Sequence, residues 1–174
     1  MQLLTNELPG VNGQPLGNGS YKLHAIASDP TGQSTDLGTV AISVDNAKST
    51  APFGTIDTPA PGATISGTAY VNFGWVLTPP PNTVPLDGST IEVYIDNLPV
   101  GRPVYNNYRV DIATLFPGYN NAGVVGMPAD GGAIGYFYID TTKLTNGLHT
   151  ISWVGRDNSG NAAGMGSRYF TVQN

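Results

Sequence analysis

The chain contains no cysteine, which excludes disulfide staples, thiolate nucleophiles and Cys-ligated zinc together. Charge is scarce as well. Only 11% of the 174 residues are charged, and 7 Lys and Arg face 12 Asp and Glu for a net charge of -5. No stretch gathers the basic clusters that neutralise phosphates, so neither nucleic acid nor an anionic membrane is an expected partner. No apolar run approaches the roughly 18–20 residues of a membrane span. Met1 to Gly10 lacks the basic start and apolar stretch of a secretory signal. Glutamate is reduced to Glu7 and Glu92, and a Gly-x-Ser-x-Gly nucleophile elbow is missing. The two histidines, His24 and His149, are the only candidate general bases, and both fall on predicted strands, where catalytic side chains are uncommon. The expectation is a protein that is not an enzyme.

Apolar and turn-forming residues are what the chain does have. Hydrophobic residues make up 40% of it, enough for a core, while 23 glycines and 14 prolines cut it into short segments and argue against long helices. Laid over itself with a shift of 128 positions, Val11 to Asn46 matches Ile139 to Asn174 without a gap. Identities fall at Leu16/Leu144, Asn18/Asn146, Gly19/Gly147, Asp29/Asp157, Gly32/Gly160, Gly38/Gly166, Val44/Val172 and Asn46/Asn174. Most are turn residues. Each copy reads as Asn-Gly, an alternating strand, a turn on Asp-x-x-Gly and a second alternating strand, which is a β-hairpin. The Asp carboxylate bonds the turn backbone and glycine takes the left-handed position. Tyr21, Leu23, Ala25 and Ala27 share one face with Val40, Ile42 and Val44. In the second copy the matching faces are His149, Ile151 and Trp153, with Phe170 and Val172.

A repeat of 128 residues makes 47–174 one complete module and 1–46 the last strands of a preceding one, joined by a polar linker at Asp45 to Pro52. Within the module, Ala69, Val71, Phe73, Trp75 and Leu77 alternate as the buried face of a strand. The run from Thr78 to Asp87, rich in proline, is a loop. Ile91, Val93 and Ile95 alternate with Glu92 and Tyr94 as a further strand, followed by a turn at Asn97-Leu-Pro. Asp111 to Leu115 forms one helical turn with Asp111 as N-cap. Gly118 to Gly132 is a long loop, and Gly135 to Ile139 another strand. The fold class is all-β: a Greek-key sandwich of about seven strands, preceded by a partial copy.

The hairpin signature, Asn146-Gly147, Leu148 to Arg156, Asp157-Asn-Ser-Gly160-Asn161 and Tyr169 to Val172, resembles the closing hairpin of bacterial immunoglobulin-like modules from large surface and secreted proteins. The first copy shares it with Gln33 in place of the Asn. The resemblance implies an Ig-like sandwich in an extracellular or cell-surface chain, acting as a spacer or an adhesion unit. It lacks the antibody cysteine pair, so Trp153 or Trp75 packs the centre without a disulfide. The tyrosine-corner position holds Tyr21 in the first copy but His149 in the second, so the corner bond is not expected in the complete module.

Two candidate sites remain. Tyr105, Tyr108, Arg109 and Tyr119 lie in a loop-rich stretch whose aromatics and asparagines suit a glycan or protein surface. The alternative is a lid, with Arg109 and Asp111 paired or capping and Phe116 buried. A carbohydrate-binding module or an accessory domain of a secreted enzyme is the rival function. Calcium is the only metal that the residue types suit, through Asp157, Asn158 and Asn161, with Ser159 and with Asp140 or Asp45 if near; a plain turn is the competing reading, and no other cofactor is expected. Asn18-Gly19-Ser20 matches a glycosylation sequon that coincides with the hairpin turn. A fragment the size of residues 1–46 leaves an apolar face uncovered, which predicts that residues 3–44 pair with the same segment of a second chain or pack upon the following module.

Overall fold

A computed structural model describes residues 19–44 and 51–174. The sequon's Asn18, residues 3–18 of the predicted pairing segment and most of the predicted linker lie outside the described residues. The described residues fall into two compact units, one within Leu3–Ser49 and the other within Thr50–Asn174.

The first unit is a hairpin of β1 (Gly19–Ser28) and β2 (Ser34–Val44). Its turn is built as the sequence indicates. The Asp29 carboxylate accepts from the Thr31 and Gln33 amides at 2.9 and 3.0 Å and from the Thr31 hydroxyl at 2.7 Å, with Gly32 at φ +86°. Tyr21, Leu23 and Ile42 are half-buried, while Ala25, Ala27 and Val40 are exposed.

The second unit holds β3 (Phe53–Ile56), β4 (Ala63–Ile65), β5 (Tyr70–Leu77), β6 (Ile91–Ile95), β7 (Leu98–Gly101), β8 (Val104–Asn107), the short helix α1 (Val110–Leu115), β9 (Ile134–Ile139), β10 (Gly147–Arg156) and β11 (Ala162–Val172). They form two sheets, β4-β11-β10-β6-β7 and β3-β5-β9-β8. Every adjacent pair is antiparallel except β4 with β11. Read as letters, one sheet is A-B-E-D and the other carries C, F and G, with β7 beyond C and β4 beside G. That is the Greek-key order of an immunoglobulin sandwich. The fold is all-β and Ig-like, with nine strands in this unit where about seven were expected. The additional strands are short segments that alternation does not reveal. One is β7, entered through a turn in which Asp96 and Asn97 both have positive φ (50° and 65°). This two-residue turn lies one step earlier than the Asn97-Leu-Pro turn that the sequence suggests. It leaves Pro99 inside an edge strand, where a missing donor is tolerated.

The two hairpins repeat register for register. Gly19 pairs with Val44 and Gly147 with Val172; Ser28 pairs with Ser34 and Arg156 with Ala162. Both are interrupted at matching places, between Ala25 and Ile26 in one and between Ser152 and Val154 in the other. In both, the Asp amide donates to the residue four ahead, Gln33 or Asn161, and the Gly amide donates back to the Asp carbonyl.

Between the sheets, Trp153 is fully buried against Ile56, Val76, Val93, Ile151, Met165 and Phe170. Its indole lies over the cross-strand pair Gly74 and Gly135. A Cβ at either glycine would stand 3.1 Å from the ring, closer than ordinary side-chain contact, so the two glycines let the indole lie directly on the sheet. The indole nitrogen donates to buried Asn72 Oδ1 at 2.7 Å, and the Asn72 amide donates in turn to the Thr58 carbonyl. Asn72, Gly74 and Val76 are therefore the inward face of β5. The alternation of Val71, Phe73, Trp75 and Leu77 marks the outward face instead. It misleads because part of that outer face is itself buried: Trp75 and Leu77 form a second core with Ile112, Ala122, Ala133 and Ile134.

Candidate functional site

The outer face of the β3-β5-β9-β8 sheet is covered over one half and open over the other. The cover is the segment 109–133. Phe116 and Tyr119 meet Phe53 at ring separations of 5.4 and 5.7 Å, and Phe116 lies 5.5 Å from Trp75. Asn121 is buried and forms a two-way bridge to loop residue Val84, accepting from its amide and donating to its carbonyl, both at 2.8 Å. A side-chain amide thus imitates a strand partner. α1 begins at Val110 with Arg109 as N-cap and no side-chain cap. Asp111 is not the cap: it lies in the first turn and accepts from Arg109 Nε at 2.7 Å. The second Arg109 partner is Asp57. Burial raises the Asp111 pKa, but the bond from Arg109 and that from the Ile112 amide outweigh it, so the carboxyl sits below its ordinary value. A general acid needs the opposite shift.

The four residues singled out from the sequence separate. Tyr105 is 6% exposed and its hydroxyl donates to the Val76 carbonyl at 2.6 Å, so it belongs to the core and offers no ligand surface. Tyr119 is spent on the aromatic cover. Tyr108 and Arg109 stand at the margin of the cover and line a groove of 490 Å³. Its other walls are Asp57 and Thr58 after β3, Phe73 on β5, Asn107 on β8, and Ile134 and Tyr136 on β9. Phe73 and Tyr136 face each other across the β5–β9 ladder with ring centres 6.3 Å apart. Tyr138 continues the row, 5.6 Å from Tyr136. Phe73 is 40% and Tyr138 56% exposed. Sequence reasoning assigned Phe73 to the core and gave Tyr136 and Tyr138 no role. The signal was Tyr-x-Tyr in a strand with glycine at the inward position 135, which puts the rings on the outer face.

The Asp157 turn gathers the predicted calcium ligands and employs them otherwise. The carboxylate is buried, at 3% exposure. It accepts from the Ser159 and Asn161 amides at 2.9 Å each, from the Asn82 and Asn161 side-chain amides at 2.9 Å each, and from the Thr78 hydroxyl at 3.1 Å. Asn158 Oδ1 accepts from the Thr83 amide at 3.0 Å. These donors bond both Asp157 oxygens and Asn158 Oδ1. The turn instead fastens the proline-rich loop to the closing hairpin. Asp140 accepts from Thr142 and pairs with Lys143 at 3.4 Å. Among the described residues, no three His, Asp or Glu side chains converge as a metal site.

His149 corrects the tyrosine-corner expectation. Its Nε2 bonds the Thr145 carbonyl at 2.8 Å, four residues upstream, so imidazole makes the corner bond. Nδ1 bonds Asp96 at 2.6 Å. With both nitrogens engaged, no lone pair is free for proton abstraction. The bond to Asp96 raises the His149 pKa above the ordinary imidazole value; burial opposes the rise and Thr145 supports it. A raised folded-state pKa stabilises fully below the unfolded value near 6.5, and the contribution disappears as pH rises through the folded value. Thermal midpoints should therefore fall between pH 5.5 and 8.5, and the fall should be smaller in His149→Phe. An equal fall in the variant would remove the assignment.

No protein-family profile matches the chain, and no curated protein sequence matches it. Among solved structures it is similar to fibronectin(III)-like modules of Clostridium thermocellum CbhA (TM-score 0.41, 14% identity, 92% of this chain and 65% of that one). It is also similar to an endo-β-1,4-mannanase from Thermotoga petrophila (TM-score 0.44, 15% identity, 74% of this chain and 21% of that one). The chain thus spans just under two thirds of the first and about one fifth of the second. The Ig-like assignment rests on strand order and register. Among the described residues, no helix is long and apolar enough to cross a membrane.

Proposed function

We propose that the chain is a non-catalytic stretch of a modular extracellular or cell-surface protein of the bacterial Ig-like type, in which the 51–174 sandwich acts as a spacer or interaction unit. The observation that carries this reading is the repetition of one hairpin, register for register, at an interval of 128 residues. Tandem modules repeat in this way. Supporting it, both nitrogens of His149 are bonded, Glu92 accepts from Tyr94, and Asp57 and Asp111 are tied to one guanidinium. The reading requires no cofactor.

β1–β2 then stands as the closing hairpin of a second Ig-like unit. Leu23 and Ile42 occupy the places of Ile151 and Phe170, both fully buried in the complete sandwich. We propose that residues 3–44 cover this face by pairing with the same segment of a second copy. Sedimentation should show a dimer for the full chain and a monomer after removal of residues 1–46, with the thermal midpoint of the sandwich unchanged. A monomeric full chain overturns the pairing. A collapse of the sandwich on deletion overturns the modular reading.

A further inference from the structure

We propose that the open half of the outer β3-β5-β9-β8 face is a saccharide platform, on which Phe73, Tyr136 and Tyr138 stack against sugar rings while Arg109, Asp57 and Asn107 hydrogen-bond their hydroxyls. This goes beyond the modular reading and stands independently of it, since a spacer needs no such face.

The first support is placement. Alternate residues of β5 and β9 carry three rings to one side of a rigid sheet, and two of them keep 40% and 56% of their surface in water although covered positions lie one step along the same strands. Trp75 and Ile134, the next pair on the same face of the ladder, are buried under the segment 109–133, whereas Phe73 and Tyr136 are left beyond it. Folding gains from covering aromatic surface, so rings held open on a rigid ladder are available to a ligand.

The second support is chemistry. Phe73 and Tyr136 are inclined at 57° and Tyr136 and Tyr138 at 74°, so the rings line a faceted cleft in which aromatic surface can meet the C–H surfaces of pyranoses, and the groove volume of 490 Å³ falls within the range of small-molecule sites. The polar rim is charged but internally balanced. Arg109 bonds both Asp57 and Asp111, so it presents no unpaired cation to a phosphate, sulfate or carboxylate, and the two carboxylates leave the rim negative. An anionic ligand is therefore opposed. A neutral polyhydroxyl ligand meets carboxylate acceptors, guanidinium donors and the Asn107 amide, whose nitrogen is bonded to the Val104 and Ile134 carbonyls at 3.3 and 3.1 Å and whose oxygen accepts no bond among the described residues. The row of rings extends past the groove to Tyr138, which fits a chain of sugars better than a single one.

Affinity electrophoresis of the full chain through gels containing hydroxyethylcellulose, xylan, galactomannan or polygalacturonate tests this. At least one of the three neutral polymers should retard the protein. Tyr136→Ala and Phe73→Ala should weaken that binding about tenfold each, as expected for loss of one stacked ring, and Tyr136→Phe should retain it. Tyr138→Ala alters a side chain already more than half exposed, so it reports on binding even if the other alanine variants fold poorly. Four results would overturn the proposal: no retardation by any neutral polymer, retardation by polygalacturonate alone, retardation untouched by Tyr138→Ala together with the folded ring variants, or a protein dimer that Tyr138→Ala dissolves.

Discussion

Trp153→Ala is expected to lower the stability of the 51–174 sandwich by about 3–5 kcal/mol, the range for removing a large buried aromatic side chain, against a total of about 5–15 kcal/mol for a domain. The indole is fully buried and fills the hollow above Gly74 and Gly135, where neither glycine has a side chain with which to collapse into the space. Its loss also strands buried Asn72 Oδ1, which accepts from no other group among the described residues. Trp153→Phe separates the two effects. It keeps part of the volume and removes the donor, so about 1–3 kcal/mol of its cost reflects the unpaired amide oxygen and the remainder the volume lost. Urea unfolding with unchanged slope is the measurement. A loss below 1 kcal/mol in Trp153→Ala would mean that the indole does not fill the centre.

The second large effect is expected at Asp157. Asp157→Ala leaves five donors on two loops without their acceptor, and about 2–4 kcal/mol should go with it. The pH dependence distinguishes this from a packing defect. Burial raises the Asp157 pKa, but the bonds from Asn161, Thr78 and Ser159 outweigh it, so the folded carboxyl lies below its ordinary value of 3.8. A depressed folded-state pKa gives stability that is present above the unfolded value and is lost as pH falls through the folded one. Wild-type denaturation midpoints should therefore drop between pH 5 and 2.5, and the drop should be smaller in Asp157→Ala. Parallel curves for the two proteins would contradict the role given to this carboxylate.

The sequence exposed what short-range chemistry decides. The two hairpins, their Asp turns and β6 are set by alternation and by residues that shape their own backbone, so they could be read without knowing the partner strands. It misassigned what depends on which face meets which layer. The period-2 pattern of β5 shows that its two faces differ. It does not show that Asn72 and Gly74 point into the sandwich because an indole needs both a partner and a hollow. The same ambiguity concealed the groove. Phe73 resembled a core residue, and the ring opposite it, Tyr136, came from a strand 63 positions further on, joined to it by the β5–β9 register. Tyr105 was drawn toward a ligand by its exposed neighbours, yet the inward step of β8 gives it to the core.

The glycine pair beneath Trp153 also bears on how a chain with duplicated parts keeps them distinct. The residue of the first hairpin that corresponds to Trp153 is Ala25. Set above Gly74 and Gly135, it would leave a void the size of an indole, a penalty of about 3–5 kcal/mol that no likeness of register offsets. One large residue set over two glycines thus acts as a key in its wards and marks β10–β11, and not its duplicate, as the partner of that hollow.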